Sequence, residues 1–110
     1  MLQDRIQQIE ARISAAQNLS DEARRELLGL LASLKADVAG LAATRAEDAQ
    51  SITHFADAST HEATRVERKP EMLDAALKGL TGSVAGLEAS HPQIAQVVNR
   101  IAVALSNMGI

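Results

Sequence analysis

The sequence predicts an all-α fold, with antiparallel helical hairpins forming a bundle of coiled-coil-like packing that self-association completes. Three observations carry that expectation. Leu, Ile and Val recur in alternating steps of four and three, most clearly at Leu27, Leu31, Leu34, Val38 and Leu41, which sets them on one stripe of a helix. The two prolines, Pro70 and Pro92, each stand where one stripe has ended and another begins. Hydrophobic residues make up 46% of the 110 residues but aromatics only 1%, all of it Phe55, so aliphatic side chains must supply the core. The length suits one domain over 1–110.

The first helix is expected over about 2–17. Leu2, Ile6, Ile9, Ile13 and Ala16 hold its apolar stripe, and Gln3, Asp4, Gln7, Gln8, Glu10 and Arg12 fill the other face. Ser20 is a good N-cap for a second helix, with Asp21 and Glu22 in its positive first turn. The short link between them forces a tight reversal, hence an antiparallel hairpin.

Residues 42–69 admit two readings. Continuing the frame from Leu41 gives Arg45, Asp48, Ile52, Phe55, Ser59, Glu62 and Val66, half of them polar. One reading is a single helix over 21–68, roughly 70 Å long at 1.5 Å per residue. The other stops near 40–44, at Gly40, and restarts at Thr44, where Thr44-Arg45-Ala46-Glu47 has capping-box form. The preserved frame favours the single helix, with 42–69 extending outward or pairing with its copy.

Pro70 opens a helix expected over 70–89, with Leu73, Leu77, Leu80, Val84 and Leu87 as its stripe. Gly79, Gly82 and Gly86 interrupt it, and close approach by a neighbour would offset their cost of about 1 kcal/mol each. Ser90 or His91 is expected to cap the last helix, 92–108, with Ile94, Val97, Val98, Ile101, Leu105 and Met108 inward, Gly109 as its C′ residue and Ile110 folding back. Glu71, Asp74, Lys78, Glu88 and Arg100 are the only charges after Pro70, so this hairpin should be covered on more than one side.

The segment Ala89-Ser90-His91-Pro92, followed by Ile101-Ala102-Val103-Ala104-Leu105-Ser106-Asn107-Met108-Gly109-Ile110, resembles a small bacterial family of short proteins classed as a domain of unknown function. Leu19-Ser20-Asp21-Glu22-Ala23-Arg24 resembles its N-terminal half. The resemblance covers 1–41 and 70–110, while 42–69 is longer and more polar than the family pattern. It implies a helical fold and brings no activity, cofactor or substrate.

No constellation names a reaction. His54, Asp57 and His61 share a helix face, but the two histidines lie about 10 Å apart along the axis, too far for one ion. His61-Glu62-Ala63-Thr64-Arg65 departs from the H-E-x-x-H signature at its last position, and the di-iron pattern of paired Glu-x-x-His helices with further glutamates is not met. Gly79–Gly86 lacks the Lys-Ser/Thr of a phosphate loop, and Ser83 is misplaced for a nucleophile elbow. Arg65, Arg68 and Lys69 are interleaved with acids and lack an aromatic, which argues against nucleic-acid binding. With no cysteine, disulfide and thiolate chemistry are excluded.

The net charge of -3, the mixed charges, the absence of a signal-like start and the lack of a spanning apolar run lead to the expectation of a cytoplasmic, bacterial-type chain with no membrane span. The expected function is a non-enzymatic structural or interaction module without cofactor or metal. Its expected partner is itself, as a dimer or larger, through Leu27, Leu31, Leu34, Val38, Leu41, Ile52 and Phe55. An adaptor groove for another protein's amphipathic helix is the alternative, with a helical-bundle metal protein behind it.

Overall fold

Ser20 ends the first reversal as its chemistry dictates: its Oγ accepts from the Ala23 backbone N–H at 3.1 Å. The computed structural model describes residues 2–108 and forms five helices: α1 Leu2–Ala15, α2 Asp21–Ala42, α3 Ala46–Ala63, α4 Pro70–Ser83 and α5 Pro92–Met108. No strand occurs among the described residues. The expected Gly109 cap and the return of Ile110 lie outside them.

The α1–α2 hairpin is braced by one side chain. Arg24 donates from Nη1 to the Ile13 and Ser14 carbonyls at 2.6 and 3.0 Å, and from Nη2 to Leu19 at 3.4 Å. A cation thereby occupies the negative end of α1 and satisfies carbonyls that the helix leaves orphaned. From the same loop, Asn18 donates its Nδ2–H to the Ala63 carbonyl at 3.1 Å and caps α3.

The single helix expected over 21–68 does not form. The chain continues through Gly40 and turns at 43–45, where the backbone N–H groups of Thr44 and Arg45 both donate to the Leu41 carbonyl at 3.1 and 2.7 Å. The Thr44 capping box is not used either: the N-cap of α3 is Arg45, without a side-chain cap bond. The physical reason is burial. A straight helix of roughly 70 Å would leave the residues of 46–63 with one neighbour at most, whereas the observed molecule measures 38 × 24 × 22 Å. Folded back, α3 touches each of the other four helices.

Its composition makes that position possible. Ala49, Thr53, Ala56, Thr60 and Ala63 form a second four–three stripe, all buried, beside buried Ile52 and Ser59. Small side chains let neighbouring helices approach closely. The two buried threonines donate their hydroxyls to the Ala49 and Ala56 carbonyls one turn back, at 2.9 and 2.8 Å, so their polarity is satisfied within the helix.

Pro70 starts α4 as expected, but the helix ends at Ser83 instead of 89. Gly86 takes φ +89°, a left-handed conformation that favours glycine, and its N–H donates to Glu88 Oε2 at 2.8 Å. Val84 and Leu87 remain buried although they follow the helix. The turn therefore serves the core, which the periodicity alone had assigned to helix. Ahead of α5, Ser90 Oγ and His91 Nδ1 lie 3.0 Å apart, and the His91 carbonyl accepts from Ala95 N–H at 3.3 Å. The inner stripe of α5, Ile94, Val98, Ile101, Leu105 and Met108, is buried.

Candidate interaction face

Six of the seven residues expected to carry assembly, Leu27, Leu31, Leu34, Val38, Leu41 and Ile52, are in the intrachain core, none more than 2% exposed. They cannot meet a second copy without the bundle opening. This corrects the expectation: α1, α3 and α5 together supply, within one chain, the cover that the stripe required. Phe55, the seventh, is half-buried, and its ring lies where a Cβ would stand on Gly79 of α4. Of the three glycines expected to permit close approach, only Gly79 does so. Gly82 and Gly86 face open space.

His54 and His61 are exposed and Asp57 is half-buried, and each makes its own local contact. Arg5 Nη1 lies 3.4 Å from His54 Nδ1, and Arg12 Nη1 lies 3.4 Å from Asp57 Oδ1, so two arginines seven residues apart on α1 tie that helix to α3. His54 also meets Phe55 edge to face, with ring centroids 5.2 Å apart. His61 lies 3.9 Å from Glu62, which accepts a 2.9 Å hydrogen bond from Arg65. Among the described residues no three His, Asp or Glu gather as a metal-ligand group. An open depression of about 920 Å³ sits where the start of α1, the end of α2 and α3 meet, with Arg5, Glu47, Gln50 and His54 on its rim.

The surface that sequence periodicity missed is the outer face of α5. Val103 is 62% exposed on it. It stands as a ridge between two grooves, one of about 690 Å³ against α2 and one of about 400 Å³ against α4. Leu30 and Ala104 contribute to the first groove, Leu77 and Ala102 to the second. The polar side chains along the ridge are mostly neutral: Gln96, Asn99, Ser106 and Asn107, with Arg100 the single charge on the helix. The signal in the sequence was that scarcity of charge, but it could not say which side of the helix would remain open.

The class these features define is a five-helix all-α bundle with one apolar-ridged, charge-poor outer face. Over residues 58–110, just under half of the chain, it matches the family model described as a domain of unknown function (DUF4404). The match takes in the end of α3, α4 and α5, and so includes the ridge. It also includes part of the 42–69 segment that the family resemblance had left out. No curated protein and no solved structure matches the chain. Among the described residues no helix is long and apolar enough to cross a membrane.

Proposed function

We propose that this protein is a non-enzymatic helical interaction module that self-associates, and that its interface is the outer face of α5. The observation supporting this reading is the exposed Val103 between two grooves, on a helix whose one charge is Arg100. Such a face costs little to desolvate, since depletion of charge marks the buried centre of protein interfaces. The non-enzymatic reading is supported by the local use of the polar groups. Asp57 and Glu62 are in ion pairs, and Thr53 and Thr60 bond to their own helix.

Light scattering after size-exclusion chromatography tests the proposal. The expected result is a dimer or larger, which Val103→Asp converts to a monomer with an unchanged helical spectrum. Leu34→Asp, by contrast, unfolds the chain, because it puts a charge in the core. A wild-type monomer at micromolar concentration overturns the self-association.

The groove between α2 and α5 favours a second reading, an adaptor taking the amphipathic helix of another protein. It predicts a stoichiometric heteromeric complex that Val103→Asp dissociates, formed by a chain that is monomeric alone.

A further inference from the structure

We propose that the face of α5 receives a second copy of this chain about a two-fold axis, with Arg100 of each copy paired to Glu26 of the other. The proposal rests on the self-association reading and deepens it by naming the contact. Ridge and grooves belong to one face, so two identical faces can place each Val103 in a groove of the other copy, as an isologous interface requires.

The charges select the pairing. Arg100, Glu26 and Glu88 are the charged residues of the groove between α2 and α5. Glu88 is already engaged through Oε2 with the Gly86 N–H. Arg100 and Glu26 are both exposed, and neither side chain makes a hydrogen bond or ion pair among the described residues. One unpaired cation and one unpaired anion on the same face become two reciprocal ion pairs when the face meets its copy. Gln96, Asn99 and Asn107 each both donate and accept, so identical amides can face one another without conflict.

The test is a charge exchange followed by sedimentation equilibrium. Arg100→Glu sets two Glu–Glu contacts into the homodimer, and Glu26→Arg sets two Arg–Arg contacts. Each variant alone is expected to dimerise at least about tenfold more weakly than wild type. Mixed one to one, they form a heterodimer in which both contacts are again Glu to Arg, and affinity returns. Both positions are exposed, so thermal melts recorded alongside should match wild type. If wild type dimerises and each single variant does so equally well, the Arg100–Glu26 pairing is overturned while self-association stands. If wild type is monomeric, both fall.

Discussion

The ring of Phe55 on α3 occupies the space that a Cβ would take on Gly79 of α4. The only aromatic side chain of the protein thus lies against the backbone of a neighbouring helix, and the two residues are 24 positions apart. Gly79→Ala should destabilise the protein by about 1–3 kcal/mol from overpacking, partly offset by about 1 kcal/mol of better helix propensity. Urea unfolding measures the net loss. Placing Phe55→Leu in the same chain should recover part of it, and additive effects of the two changes would rule out the contact as the cause.

Gly29 and Gly40 make the opposite case. Both lie inside α2, and a Cβ at either would meet nothing within 4 Å. Ala at each should stabilise by about 0.5–1 kcal/mol, seen as a higher melting temperature. If Gly40→Ala destabilised the protein instead, the helix would not run through that position.

Arg24 holds three carbonyls at the α1–α2 reversal, and Arg25, one residue on, is exposed. Arg24→Ala should cost about 1.5–3 kcal/mol, the range for hydrogen bonds to a charged group. Arg25→Ala should stay within about 0.5 kcal/mol. Equal effects in parallel denaturation curves would remove the brace.

Ser59 Oγ is buried and has no hydrogen-bond partner among the described residues. Ser59→Ala should therefore leave stability unchanged or raise it by about 1 kcal/mol, because the hydroxyl's desolvation is relieved. Thr60→Ala, which removes a satisfied hydroxyl and a buried methyl group, should destabilise. Calorimetry on the two variants separates the cases.

Between α3 and α4 the chain runs through 64–69 without regular structure, and Val66 there is fully exposed. Brief trypsin treatment should cut first after Arg65 or Arg68, in this loop, since local opening costs least where few contacts are made. Mass spectrometry of the first fragments checks it. A first cut within α2 would show that the bundle opens elsewhere.

Much of this architecture was legible in the sequence. The inward stripes of α1, α2 and α5 are those of Ile6, Leu31 and Val98 and their neighbours, and Ser20, Pro70 and Pro92 begin helices or cap them as their backbone chemistry requires. In the sequence Gly86 falls in a helix interior, because Val84 and Leu87 keep the frame. Burial demands only that those side chains face the core, and a turn can meet that demand as well as a helix.

What the sequence determined by itself was the set of amphipathic segments and most of their ends, because apolar spacing and capping act over a few residues. Only the tertiary structure decided the place of Ala49, Thr53, Ala56, Ser59, Thr60 and Ala63. Small, weakly polar side chains are tolerated equally in water and in a tight core, so hydropathy is silent about them until neighbouring helices approach. The same long-range choice turned Leu27, Leu34 and Leu41 from an expected surface into a core. A stripe of leucines specifies that it must be covered, while chain reversal at 43–45 determines that α3 of the same chain helps to cover it.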